Sequence, residues 1–274
     1  MATETSAASS TAPSDGPLGS YLWRAGTAFL LGLVGLLALG WYTASYGRPP
    51  GLDPLTAFVA TVVNNGLLLV VLVLLGAYAA PRVGLRSHLL ARTAGDRPPD
   101  SSFGSELPLA VGLGLVGAVA VLLLDVAFAP FVAAALAQLP QQTATVESVL
   151  AFTPVRFLYG GITEELLLRF GLMSLFVFLG ARLFDRETAT PSAGVVWGAI
   201  LLSSLLFGVG HLPAASATFG GLDPVIVART VLLNTVAGVA FGWLYWRRSL
   251  EAAMVAHGTF HVLFVALSLV VVLV

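Results

Sequence analysis

Residues 55–79 read LTAFVATVVNNGLLLVVLVLLGAYA, twenty-five positions without a charge. Wound as an α-helix the run is about 37 Å long, more than the roughly 30 Å hydrocarbon core of a bilayer. A helix of a soluble domain keeps one polar face for water, whereas between Leu67 and Leu75 this one is apolar on every side. In hydrocarbon its backbone must satisfy its own hydrogen bonds, and no alternating barrel pattern is present, so the run predicts a transmembrane helix.

Similar runs lie on either side, near Gly26–Ala44, Leu107–Leu136, Ala151–Leu183, Ala193–Leu212, Asp223–Trp246 and Leu250–Val274. With Leu55–Ala79 they predict an all-α, polytopic transmembrane helix bundle of about seven spans. The third and fourth runs exceed what one crossing needs, which predicts tilt or a break inside them. Composition agrees: 57% of the 274 residues are hydrophobic and 10% are charged, against about a quarter charged in an ordinary soluble domain. The lipid bilayer is therefore the first expected partner. Nucleic acid is not expected, because the formal net charge is −1 and no basic face can be assembled. With no cysteine, thiol catalysis, iron–sulfur clusters and cysteine zinc sites are excluded.

The chain divides by composition into three parts. Residues 1–20 are small and polar and are expected to be a disordered N-terminal tail. Residues 21–145 hold the first three spans and a basic loop, 81–106, with Arg82, Arg86, Arg92 and Arg97. Residues 146–274 hold the remaining spans. All 13 basic residues are arginine, and nine of them (the four in the loop with Arg24, Arg182, Arg186, Arg247 and Arg248) fall on one side if the spans alternate. The excess of arginine in cytoplasmic segments predicts a multi-pass protein of the cell membrane with its N-terminus cytoplasmic and the 81–106 loop on the same side.

Ionisable side chains inside spans are expensive and mark function or pairing. They are Asp125; Glu164, Glu165 and Arg169; His211; and His257 and His261. Glu165 and Arg169 are four apart and can meet on one helix face, which leaves Glu164 without that partner and makes it the candidate general base. The pair Gly160–Gly161 is expected to interrupt the helix, with Thr163 capping a new start. His211 precedes Pro213 and should stand at a helix C-terminus with Phe207 one turn earlier. His257 and His261 share a face at a spacing that suits zinc or an oxyanion, but Gly258 stands where a metalloprotease helix of the HExxH type has its Glu. Asn64, Asn65, Asn234 and Thr235 are read as contacts between helices. Gly112-Leu113-Gly114-Leu115-Val116-Gly117 spells a dinucleotide fingerprint but lies inside an apolar span, so close helix packing is the better reading. For Asp125 the options are a pair with Arg229 or a polar helix contact.

In order and spacing, Glu164-Glu165-xxx-Arg169, Phe207-xxx-His211 and His257-xxx-His261 resemble the EExxxR, FxxxH and HxxxN motifs of the CPBP family, the CAAX prenyl proteases and bacteriocin-processing enzymes also called the Abi family. The resemblance covers roughly residues 150–265 and implies that 146–274 is an intramembrane protease core acting on a membrane-associated, prenylated or other peptide or protein. It implies Glu164 as base, His211 as the residue helping to hold and activate water, His257 and His261 as the oxyanion pair, and Glu165 and Arg169 as orienting residues. The departure is His261, where the family has Asn more often. That change keeps zinc in view, with Glu164, His211, His257 and His261 as the ligands it would use; the alternatives are a metal-free water mechanism with no cofactor, a zinc-dependent version of the same hydrolysis, or a non-catalytic transporter or scaffold.

Depth sets a condition on all of these. Along straight helices Glu164 lies about 27 Å from Arg182 and His211 about 24 Å from Val195, but His257 only about 8 Å from Ala252. Either the connection between spans six and seven is sunk, or helices are tilted or broken, or span seven stays outside the site.

Overall fold

The structure, a computed structural model, describes residues 16–137, 145–186, 188 and 190–274. All regular elements among them are helical: α1 (Pro17–Ser45), α2 (Pro54–Ala79), a 3-10 turn (Ala80–Val83), α3 (His88–Ala94), α4 (Phe103–Ala137), α5 (Val146–Pro154), two π-helical stretches (Val155–Glu164 and Leu166–Met173), α6 (Ser174–Phe184), α7 (Ala193–Gly210), α8 (Leu212–Phe219), α9 (Pro224–Arg247) and α10 (Leu250–Leu273). Seven helices are long and apolar enough to cross a membrane, with Val146–Phe184 counting as one of 39 residues. The chain is an all-α polytopic bundle and a multi-pass membrane protein.

Helix starts follow local chemistry. Asp53 and Asp223 each precede a proline and accept a bond from the backbone two or three residues on, Asp53 from Thr56 and Asp223 from Ile226. Ser192 and Ser249 cap α7 and α10 in the same way. Pro17 opens α1, so the expected tail is shortened: residues 17–20 form the first turn of α1, and 1–15 lie outside the described residues. The expected loop 81–106 contains the 3-10 turn and α3, whose N-terminus is held by Glu251: its carboxylate accepts from the Ser87 hydroxyl (2.5 Å), His88 N (3.0 Å) and Leu89 N (2.9 Å).

The core runs through the middle of the bundle, with Leu69, Leu166, Met173, Ile200, Phe241 and Leu244 fully buried. The outside is equally apolar, with Leu67, Leu123, Phe131, Val270 and Val271 exposed, as lipid-facing positions must be. Of the three glycines in the GxGxxG segment of α4, Gly114 is the one held close to a neighbouring helix: a methyl there would strike the Ala256 carbonyl and Thr259 of α10, whereas one on Gly112 or Gly117 would meet nothing within 4 Å. Of the polar residues read as helix contacts, Thr235 reaches the Ser204 carbonyl (3.3 Å) and Asn65 approaches the Tyr159 hydroxyl (3.5 Å), Asn234 bonds Thr230 of its own helix, and Asn64 is exposed.

Span four does not break at Gly160–Gly161. It changes winding to the i→i+5 pattern across Val155–Met173, a rare form that recurs at functional sites. Thr163 is no cap; its hydroxyl donates to the Gly32 carbonyl of α1 (2.8 Å). Gly35 allows this approach, since a β-carbon there would collide with Thr163 and the Leu158 carbonyl.

Span seven does join the site, which removes the last of the three alternatives, and the start of α10 is covered by protein. The connection between α9 and α10 is buried: Ser249, Leu250, Ala252 and Ala253 have almost no exposed surface, Leu250 N donates to the Arg86 carbonyl (3.1 Å), and the Ser249 hydroxyl binds the Glu106 carboxylate. The segment 80–106 closes over this end, so α10 starts inside the protein and His257 sits deeper than a count from a surface terminus implies.

Candidate active site

Span four, α7 and α10 bring the three motifs together. Glu165 and Arg169 are completely buried, with Nη1 of Arg169 3.2 Å from Oε1 of Glu165. Nη2 of Arg169 donates to the Gly238 carbonyl (3.0 Å), and its guanidinium lies between the rings of Phe207 (5.0 Å) and Phe241 (5.4 Å). The same Oε1 of Glu165 is 2.8 Å from Nδ1 of His257. The His257 ring stacks on Phe241 at 4.6 Å and on His261 at 4.9 Å. Arg169 therefore fixes Glu165, and Glu165 fixes the tilt and one ring nitrogen of His257, an arrangement that recurs behind functional imidazoles.

Glu164 accepts no hydrogen bond from the described residues. Its Oε1 lies 3.9 Å from Nε2 of His211 and its Oε2 3.9 Å from Nε2 of His257. In a helix wound with more residues per turn, neighbouring side chains diverge less, and here adjacent carboxylates approach the two nitrogens of one imidazole. His211 caps the C-terminus of α7, as its place before Pro213 predicts, and its ring meets Phe207 edge-on at 4.7 Å. Its Nδ1 is 2.9 Å from the Phe207 carbonyl. A carbonyl only accepts, so Nδ1 carries the hydrogen and Nε2, facing Glu164, presents a lone pair.

His261 lies one turn beyond His257, its Nδ1 buried without a hydrogen-bond partner. A β-carbon at Gly160 would stand 2.8 Å from its Nε2. Gly160 thus makes room for His261, and Gly161 faces the α10 backbone at Gly258.

Glu164, His211, His257 and His261 line one cavity of about 230 Å³, with Phe207 in its wall. Exposure rises along it, from 14% for the Glu164 side chain to 34% for His211. The cavity also takes in residues that motif reading missed: Arg156, Asn234, and the pair Asp125–Arg229. Asp125 does pair with Arg229, Nε to Oδ1 at 2.8 Å, one of the two options the sequence left open. The signal for Arg156 is a charged residue two turns before Glu164 in an apolar run.

A metal was the open question for this set. Among the described residues no group of three or more His, Asp or Glu side chains is arranged to hold a metal ion. Nδ1 of His257 is taken by Glu165 and Nδ1 of His211 by a carbonyl, which leaves the two Nε2 atoms and the Glu164 carboxylate as the groups that would hold a zinc ion.

With this geometry in place, the comparison with known families bears on the segment that carries it. Residues 146–263 match the family described as Type II CAAX prenyl endopeptidase Rce1-like. The resemblance drawn from the three motifs is thereby shown, over the stretch in which they lie. The Rce1-like segment supplies all seven motif residues; α1, α2 and α4, with Asp125 of α4 in the cavity wall, lie outside the match. No curated protein and no solved structure matches the chain.

Proposed function

We propose that this protein is an intramembrane endopeptidase that cleaves a membrane-associated peptide, prenylated peptides among them, with a water activated by Glu164 and His211. The observation that carries the reading is the Glu164 carboxylate, unbonded within the described residues and flanked at 3.9 Å by two imidazole nitrogens. That gap is too long for a hydrogen bond and suits one water bonded to both groups at about 2.8 Å.

In this mechanism the water lies between Glu164 and the lone pair on Nε2 of His211. As its oxygen adds to the scissile carbonyl carbon, Glu164 takes its proton and the carbonyl π electrons move onto the oxygen. His257 and His261 donate to that oxyanion. Glu164 then returns the proton to the amide nitrogen, the C–N bond breaks, and the amine leaves. With Nδ1 of His257 held by Glu165, Nε2 is the nitrogen of that ring that faces the cavity.

Glu164→Gln preserves the shape of the site and removes the base. Cleavage of a membrane-anchored reporter peptide by purified protein should be lost while the unfolding midpoint stays put; unchanged cleavage would end the protease reading, and loss of solute flux instead would favour a transporter. Wild-type cleavage should persist in chelator with no stoichiometric zinc in the protein. Chelator-sensitive cleavage by zinc-loaded protein would replace the metal-free version.

Nine arginines cluster at the end formed by the start of α1, the 80–106 segment, the end of α6 and the α9–α10 connection, while Arg48, Arg156 and Arg229 belong to the other end. On the positive-inside rule the arginine-rich end and the N-terminus are cytoplasmic, and the cavity, beside the end of α7, is reached from the opposite half of the bilayer. The chain has no native cysteine. Single cysteines at Ser102 and Gly220 should label from inside and outside respectively; the reverse pattern would invert the topology.

A further inference from the structure

The cavity wall holds two arginines in different electrostatic situations. Arg229 is paired with Asp125. Arg156, half-buried in the same wall, forms no ion pair and no hydrogen bond among the described residues; its guanidinium lies 5.2 Å from the Phe152 ring, one turn back on its own helix. An uncompensated guanidinium within a membrane-spanning segment costs several kcal/mol, and the carboxylates of this wall are committed elsewhere, Asp125 to Arg229 and Glu164 to the two imidazoles. The cavity therefore carries a planar cationic fork with no anion of the protein's own. Such a fork binds carboxylates bidentately.

Position fixes where on the substrate the anion must be. Arg156 precedes Glu164 by eight residues on one span, at most about 12 Å along the helix axis and less in the π-wound stretch. An extended peptide covers about 10 Å in three residues. Resting on the endopeptidase reading above, we propose that Arg156 is a specificity residue that binds a carboxylate of the substrate peptide about three residues from the scissile bond. That carboxylate is the C-terminal α-carboxylate of a short leaving peptide or the side chain of an Asp or Glu at that distance.

The test uses full-length protein in bilayer nanodiscs and three membrane-anchored reporter peptides of one sequence: a free C-terminal acid three residues past the cleaved bond, its C-terminal amide, and the amide with Glu at that third position. Wild-type protein should favour the acid over the amide by roughly 10- to 100-fold in kcat/KM, chiefly through KM, the range of a lost charge-assisted hydrogen bond. In Arg156→Gln the acid-to-amide ratio should fall to near one, and Arg156→Lys, which keeps the charge but not the fork, should retain part of it. Recovery by the Glu-bearing amide assigns the side-chain source, and no recovery assigns the α-carboxylate. A wild-type ratio near one, or a ratio unmoved by Arg156→Gln, overturns the proposal. Direct binding of the acid and amide peptides to Glu164→Gln protein, with and without Arg156→Gln, gives the same comparison without turnover, so a failed protease reading and a failed carboxylate site remain distinguishable.

Discussion

Glu106 and Glu164 are both acids inside a helix bundle with imidazoles close by, and their surroundings are opposite. Glu106, fully buried near the arginine-rich end, receives the Ser101 hydroxyl at 2.6 Å and the Ser249 hydroxyl, with Nε2 of His88 at 3.3 Å. It joins the start of α4 to the buried α9–α10 connection. Glu164 keeps 14% of its side chain exposed, accepts nothing from the described residues, and has imidazole nitrogens on two sides at a distance that one small molecule can bridge. A buried polar group lacking protein partners costs free energy, so a fold tolerates it where water or substrate supplies the missing bonds. The two acids divide the molecule into an end that is held together and an end that is kept ready.

The largest effect expected from this contrast is in a double-mutant cycle at the reactive end. Glu164→Gln and His211→Ala should each lower kcat/KM by about 10²- to 10⁴-fold, the usual range for a positioned acid–base group. If both act on one water, the double variant should be no worse than the poorer single variant, because a unit once broken cannot be broken again. Losses that multiply would mean the two residues serve separate steps and would dissolve the shared-water picture.

Much of this contrast was legible in the sequence, and for physical reasons. Seven apolar runs give seven spans because hydrocarbon forces a helix on each of them. Glu165–Arg169 follows from i,i+4 geometry, and the position of His211 from the proline two residues on. What could not be read were interactions between distant segments. The π winding of Val155–Met173 has no residue signature, and of Gly160–Gly161, whose composition suggests a helix break, Gly160 is explained by His261 approaching from α10. The sunken start of α10 depends on Glu106 and Arg86, more than 140 residues earlier in the chain, and without it the depth of His257 looked irreconcilable with that of Glu164. Arg156 escaped because single charges near span ends are common and only the cavity singles it out, and while the pair Asp125–Arg229 was one of two readings the sequence left open, its place in the cavity wall was not legible.

A smaller effect, of a different kind, is expected at the other acid. Glu106→Ala would leave the hydroxyls of Ser101 and Ser249 without their acceptor, at a cost on the order of 3 kcal/mol. Because Ser249 also caps α10, bonding Ala252 N at 3.1 Å, the damage should reach the helix that carries His257 and lower the unfolding midpoint in detergent. Glu106→Gln keeps one acceptor oxygen and should lose less. In both variants the turnover of the molecules that remain folded should match wild type, since nothing at this end touches the cavity around Glu164. Kinetics normalised to the folded fraction separate the two cases. Should Glu106→Gln retain its stability yet lose turnover, the division between a holding end and a reacting end would fail, and the two acids would have to be coupled through α10.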